Sequence, residues 1–251
     1  MFKLTIIRNL LIILLLFSAT SLFAQDDVAT ILATADQFRL PEGAVIVTTK
    51  VELFKNGELD KQREYQVYIK PGHRSLVDFR TPSERGQKVL MVDDKFWMVL
   101  PRSKRPVRIT PTQKLLGEAS TGDIATMTWH EDYDATIIEQ DVDIDGTPSL
   151  KLELNSNRSG TTYDRIELYV SQDEFIPIKA SLYLKSGKLA KQAQFTMGEL
   201  QGRRSVVSMT LLDQINKNRE TRVHYQAMQS KEIPDKFYNP AYLSRNNELP
   251  D

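Results

Sequence analysis

The sequence contains no cysteine among its 251 residues. A chain without cysteine forms no disulfide, uses no thiolate as a nucleophile and binds no metal through sulfur. An excess of charge is missing too, because 33 basic residues balance 33 acidic ones, whereas a nucleic-acid-binding protein needs a basic excess. Motifs of serine hydrolases, phosphate-binding loops and dinucleotide-binding domains are also absent. We therefore expect no cofactor and no nucleic acid as a partner, and a fold that depends on its apolar core.

A hydrophobic run long enough to span a membrane is missing as well. The longest uninterrupted run covers residues 10–17, whereas a spanning helix needs about 20 apolar residues. Lys3 and Arg8 precede this run, and small and polar residues follow it up to Ala24, which is the pattern of a secretory signal peptide. We expect a signal peptide over residues 1–24, cleaved near Ala24, and an exported, soluble mature chain that forms a single domain over residues 25–251.

The mature chain opens with a helical pattern and then changes to a period of two. One apolar helix face is predicted before Pro41-Glu42-Gly43 ends the run; its residues are Val28, Ile31, Leu32, Ala35 and Phe38. The alternating segments that follow are residues 45–53, 61–70, 74–80, 87–92, 95–101, 106–109, 133–143, 148–155, 161–170, 176–185, 189–197, 204–212 and 219–228. So many short strands with regularly spaced turns predict a mainly β protein whose antiparallel sheet curls or closes.

An insertion between Thr110 and His130 interrupts the strands. Thr110-Pro111-Thr112-Gln113 has the pattern of a helix start, and Gly117 can end that turn. The segment carries more apolar residues than a surface loop needs, namely Leu115, Leu116, Ile124, Met127 and Trp129. We predict that these residues form the underside of a lid over an apolar surface.

The segment around Trp97 is apolar on both faces of its predicted strand. Phe96, Met98 and Leu100 share one face, and Trp97 lies on the other. A half-exposed strand would alternate apolar with polar residues, so we expect one face to meet a cavity and the other to meet covering helices. Met98 and Met91 suit a surface that fits variable chains, because methionine is flexible and polarizable.

Two acidic clusters admit a metal-binding interpretation and a plainer one. Residues 141–146 match the first half of a calcium loop, but Leu152 stands where the loop needs a bidentate glutamate, and Asp145-Gly146 is typical of a hairpin turn. The four residues 130–132 and 134 would point to opposite faces of an extended segment. We favour a hairpin for the first cluster and polar residues at a helix end, around a packed Trp129, for the second, and we predict no metal site.

A basic run follows the Trp97 strand. Its cationic side chains are Arg102, Lys104, Arg105 and Arg108. Long basic side chains cannot all be buried without partners. They either coat a solvated hairpin turn or dock the protein against an acidic partner or anionic headgroups.

Five stretches resemble the LolA-like outer-membrane lipoprotein-sorting family, in the branch associated with transporters of the resistance-nodulation type. They are residues 89–102, 105–109, 117–123, 163–166 and 232–243. The resemblance implies an incomplete β-barrel, open on one side, in which short helices cover an apolar concavity that takes acyl chains. It also implies a location in the periplasm.

The function implied by this resemblance is that of a non-catalytic, monomeric carrier, not an enzyme. Such a carrier binds acyl chains of lipoproteins or other envelope lipids for transfer toward the outer membrane, and an inner-membrane transporter is a candidate partner. The alternative is a periplasmic sensor or adaptor that binds an inner-membrane transporter or regulator. Residues expected to line the cavity and lid are Met91, Phe96, Trp97, Met98, Leu100, Leu115, Leu116, Ile124, Met127 and Trp129, and the expected docking residues are the four cations of the basic run.

Overall fold

The computed structural model describes residues 25–103, 105–109, 123, 128–246 and 249. Helix α1 (Gln25–Gln37) comes first, as the apolar spacing predicts, and six strands follow: β1 (Val45–Lys55), β2 (Glu58–Lys70), β3 (Arg74–Phe79), β4 (Lys88–Val92), β5 (Lys95–Val99) and β6 (Val107–Ile109). After the insertion come α2 (Trp129–Asp132), β7 (Tyr133–Ile144), β8 (Thr147–Ser156), β9 (Arg165–Ser171), β10 (Pro177–Tyr183), β11 (Leu189–Leu200), β12 (Arg203–Asp213) and β13 (Arg219–Ser230). Short 3-10 turns at Pro82–Glu84 and Asp235–Tyr238 and helix α3 (Pro240–Leu243) complete these elements.

All of these strands belong to one antiparallel sheet. Its order is β6-β5-β4-β3-β2-β1-β13-β12-β11-β10-β9-β8-β7, so the first and last strands of the chain pair in the middle, with Val45 opposite Ser230. Among the described residues, β6 and β7 pair on one side only, and the curled sheet does not close. The prediction of a mainly β, incomplete and open barrel with short helices is therefore confirmed.

The inner face of the sheet forms the larger core. Helix α1 packs its apolar stripe against this face, and Ile31, Leu32 and Ala35 are almost completely buried. Strands from both halves of the sheet contribute, for example Val67 of β2 and Leu168 of β9. The two halves of the sheet are therefore held around one apolar interior, as the hydrophobic effect favours.

The outer face of β1 to β5 carries a second, smaller core. Tyr68, Leu76 and Leu90 lie on this face under the C-terminal segment, which contributes Ile233 and Phe237. Successive residues of these strands thus enter different cores, because alternate side chains point to opposite faces of a sheet. This double burial explains why the segments around residues 76 and 90 are apolar without alternation.

The hairpin interpretation of residues 141–146 fits the observed geometry. Asp145 and Gly146 both have positive φ, 52° and 83°, as the two central residues of a type I′ turn require. The backbone amide of Gly146 donates a hydrogen bond to the Asp143 carboxylate at 3.0 Å. No helix within the described ranges is both long and apolar enough to cross a bilayer.

Candidate functional site

An apolar pocket lies on the inner face where β9 to β12 meet helix α2. We call it the inner pocket, and it encloses about 450 Å³, with the solvent at its mouth included. Its apolar walls are Trp129, Ile166, Leu182, Ala193, Phe195, Met209 and Leu211. Pockets of roughly 300–1,000 Å³ with mostly apolar walls are typical small-molecule sites. The inner pocket is therefore large enough for an apolar chain.

Charged and polar side chains meet at one side of the inner pocket. Asp123, from the insertion, accepts a hydrogen bond from the Tyr163 hydroxyl at 2.6 Å and pairs with Lys191. The Asp123 side chain is only 3% exposed, and a buried carboxylate is tolerated when it is paired and hydrogen-bonded. This residue therefore fixes one point of the insertion at the pocket that the insertion is predicted to cover.

Trp129 is held between two partners. Its ring packs edge-on against Phe195, with ring centroids 5.6 Å apart, and the Arg39 guanidinium lies 3.8 Å from the Trp129 ring centroid. Contacts of this kind between a cation and an aromatic face are favourable when they are shielded from water. Trp129 and Arg39 thus form one wall of the inner pocket as a stacked pair.

Asp36, near the end of α1, holds this wall in place. One of its carboxylate oxygens contacts Arg39 Nη1 at 3.1 Å, and the other accepts from the His130 amide at 2.9 Å and lies 2.8 Å from His130 Nδ1. The hydrogen bond to Asp36 raises the pKa of His130 above its usual value, because the carboxylate favours the charged imidazolium. Asp36 is therefore the group that joins α1 to α2.

A second pocket opens at the adjacent end of the sheet, on the other side of α2. We call it the end pocket, and it measures about 720 Å³, with solvent included. Its floor consists of Leu40, Pro41, Val45, Ile69 and Met91, and charged residues form its rim, among them Lys70, His73, Arg74, His130, Glu131 and Asp132. An apolar floor beneath a charged rim suits an amphipathic ligand.

An ion-pair cluster made by Asp94, Asp132 and Arg158 joins the two halves of the sheet beside the end pocket. Arg158, in the loop between β8 and β9, contacts Asp132 Oδ1 at 2.7 Å and Asp94 Oδ1 at 2.6 Å. Ser159 donates a hydrogen bond to Asp94 at 2.7 Å, and His73 Nδ1 lies 3.1 Å from Asp132. Asp94 belongs to the turn between β4 and β5, so the cluster connects strands that are far apart in the sheet order.

The two aspartates of this cluster differ in pKa because their burial differs. Hydrogen bonds from Ser159 and Arg158 lower the pKa of Asp94, which is partly exposed. Burial raises the pKa of Asp132 despite its pair with Arg158. In the part of the chain that the structure describes, no three acidic or histidine residues are arranged to hold a metal ion.

The structure separates the residues predicted to line the cavity. Trp129 lines the inner pocket and Met91 the end pocket, while Phe96 and Met98 lie in the inner core. Trp97 lies on the opposite face, in the outer core under the C-terminal segment. Leu100 is 40% exposed to solvent, away from both cores. The four predicted lid residues Leu115, Leu116, Ile124 and Met127 fall outside the described residues.

The basic run lies on an exposed turn between β5 and β6. Arg102, Arg105 and Arg108 are exposed, and Lys104 falls outside the described residues. The Ser103 amide donates to the Leu100 carbonyl at 3.0 Å, which closes the turn. The Arg108 guanidinium lies 5.0 Å from the Trp97 ring centroid. The cations are thus presented to solvent and not to either pocket.

Several residues of the site were not found from the sequence. Asp36 and Arg39 belong to the end of α1 and the linker after it, where they read as ordinary surface charges, and Asp36 meets His130 across 94 positions of sequence. Tyr163 was noted only as part of a family-like stretch. A pairing over such a separation leaves no local pattern, so only the folded chain shows it.

Comparisons with known proteins agree with this geometry. A family described only as uncharacterized-protein-like matches residues 72–245. Among solved structures, a LolA superfamily protein from Nitrosomonas europaea is 28% identical, with a TM-score of 0.77, over 85% of this chain and 97% of that one. No curated protein matches the sequence.

Two further solved structures share the fold at lower identity. A DUF1329 family protein from Desulfovibrio piger is 20% identical, with a TM-score of 0.68, and the match covers 86% of this chain and 97% of that one. A domain described as a candidate outer membrane lipoprotein-sorting protein, from Vibrio parahaemolyticus, is 17% identical, with a TM-score of 0.69, over 88% of this chain and 100% of that one.

Proposed function

We propose that this chain, which belongs to the uncharacterized family matched over residues 72–245 and is LolA-like in fold, is a periplasmic, non-catalytic carrier of acyl chains. Its cargo is the acylated part of a lipoprotein or another envelope lipid, and transfer runs toward the outer membrane. The proposal places the signal peptide at residues 1–24 and treats residues 25–251 as one lipid-binding domain.

The inner pocket is the observation that carries this proposal. Its walls are apolar side chains of four neighbouring strands, and its wall residue Trp129 is itself only 4% exposed. Burial of an acyl chain contributes about 0.8 kcal/mol for each methylene removed from water. A chain of ordinary length therefore binds there through the hydrophobic effect alone, and the carrier needs no catalytic group.

Organic extraction of gently purified mature protein, followed by mass spectrometry, tests the proposal. We expect a co-purifying lipid, and we expect Met209→Glu to abolish it, because the substitution places a charge in the inner pocket. The matched control is Ile138→Glu, on edge strand β7, where the native side chain is already 47% exposed. Absence of lipid from the extract, together with no uptake of any offered lipid or lipopeptide, would contradict a carrier function.

A sensor or adaptor function is the second candidate, and the exposed basic run favours it. Arg102, Arg105 and Arg108 project from a turn whose neighbours Leu100 and Val107 are also exposed, at 40% and 54%. Such a surface suits contact with an inner-membrane protein, since exposed apolar and cationic side chains mark interaction sites. Crosslinking in cells separates the candidates: an adaptor gives one stoichiometric inner-membrane partner, and a carrier gives transient partners in both membranes.

A further inference from the structure

The inner pocket and the end pocket lie on the two sides of one thin wall. Arg39 lines the inner pocket, and the next residue, Leu40, lines the end pocket. Helix α2 divides in the same way, because Trp129 faces the inner pocket while Thr128 and His130 face the end pocket. We call the wall formed by Arg39, Leu40 and α2 the partition.

The partition is fixed in place and does not fill either pocket. Asp36 binds both of its strands of chain, through Arg39 Nη1 at 3.1 Å and the His130 amide at 2.9 Å. Trp129 is stacked between Arg39 and Phe195. A wall held by buried hydrogen bonds and ring packing keeps its position, so the space on each side is a separate compartment.

Each compartment has the character of a site for one apolar chain. The end pocket has an apolar floor of Leu40, Val45, Ile69 and Met91 and measures about 720 Å³, against about 450 Å³ for the inner pocket, with solvent included in both values. Both volumes fall in the range of small-molecule sites. Polar groups concentrate where the compartments meet, at Arg39 and His130.

We propose that the chain binds lipids with two acyl chains, with one chain in each pocket and the linking glycerol group across the partition. This inference rests on the proposed carrier function and adds the class of cargo. A single-chain fatty acid then occupies either pocket independently, so two fatty acids bind where one diacyl lipid does. The diacylglyceryl group occurs both in phospholipids and in lipoproteins, and the two sources share this chemistry.

Native mass spectrometry with defined lipids tests this inference. The probes are oleate, phosphatidylglycerol and a dipalmitoylated lipopeptide, each added to delipidated mature protein. We expect two oleates or one diacyl lipid per chain, and the tighter of the two diacyl probes identifies the source of the cargo. Leu40→Trp fills the end pocket and Met209→Trp fills the inner pocket, and each variant should retain one oleate and lose at least tenfold in affinity for the diacyl probes.

Ile69→Phe and Ala193→Leu serve as milder filling variants if either tryptophan variant fails to fold. One oleate per wild-type chain, or unchanged diacyl binding by both end-pocket variants, would overturn the inference while leaving the carrier function standing. Binding of none of the three probes by the folded wild type would overturn the carrier function itself.

Discussion

Gly160 provides a stringent test of the ion-pair cluster that joins the two halves of the sheet. A Cβ atom added at Gly160 would lie 2.9 Å from Arg158 Nη2 and 2.9 Å from Asp94 Cα, and closer still to Asp94 Oδ1. Such separations are shorter than van der Waals contact, so Gly160→Ala must displace the Asp94 turn or the loop after β8. Displacement in either direction separates Asp94 from Arg158 and Ser159, whose contacts are 2.6 Å and 2.7 Å.

The expected cost combines two effects. Inserting a methyl group into a packed site costs about 1–3 kcal/mol. The lost hydrogen bonds to Asp94 add about 1 kcal/mol, a value at the low end for charged partners, because Asp94 is 41% exposed and its pairs are screened by water. We therefore expect the free energy of unfolding to fall by about 2–4 kcal/mol, which lowers Tm by roughly 4–16 °C for a chain of this size.

Urea unfolding followed by circular dichroism measures this change. Ser159→Ala is the matched control, because it removes only one hydrogen bond to Asp94 and should cost about 1 kcal/mol. The Asp94→Ala background should reduce the cost of Gly160→Ala, since the nearest clashing atom is gone, and this coupling is the signature of direct contact. A loss below about 0.5 kcal/mol for Gly160→Ala would refute the described packing of this loop against the Asp94 turn.

Three further predictions concern α2, the lid and the basic run. His130 has a raised folded-state pKa, so its stabilisation is complete below the unfolded pKa of about 6.5 and is lost as pH rises through the folded value; urea unfolding at low and high pH should show this difference, and His130→Gln should remove it. Charged substitutions at the predicted lid positions should abolish lipid uptake while the circular dichroism spectrum is kept, since a lid contributes less than a strand to the core; loss of folding would make these residues core, and they are Leu115, Leu116, Ile124 and Met127. Reversal of Arg102, Lys104 and Arg105 to glutamate should leave lipid binding unchanged and slow association with a membrane partner in a salt-dependent manner; equal association rates at low salt would return these residues to a solvated turn.

The strands could be predicted because their burial alternates. Lys61 to Lys70 reads as a half-buried strand, and β2 (Glu58–Lys70) places Tyr65 and Val67 in the inner core. The strand predicted to begin at Thr161 starts at Arg165 in β9, because the loop before it is occupied by the contacts of Arg158 and Ser159 with Asp94. Local pattern locates strands well and loop contacts poorly.

The site was only partly predictable, for a different reason. Phe96 and Trp97 are both apolar, so alternation shows that the two faces of β5 are buried but not which face is the inner one. The answer depends on the C-terminal segment, which covers Trp97 and has no periodic pattern of its own. The partition depends likewise on Asp36 meeting His130, and neither residue carries a local signal of the other.

The two tryptophans allow the most direct test of the carrier function, because Trp129 lines the inner pocket and Trp97 lies in the outer core. The measurement is fluorescence quenching by a fatty acid brominated along its chain, in Trp97→Phe and Trp129→Phe, with binding to each variant confirmed by native mass spectrometry. A chain in the inner pocket places bromine against Trp129, so the account predicts strong, saturable quenching of Trp97→Phe and little quenching of Trp129→Phe. Equal quenching of both variants, or none in Trp97→Phe with ligand bound, would contradict acyl-chain binding in the inner pocket.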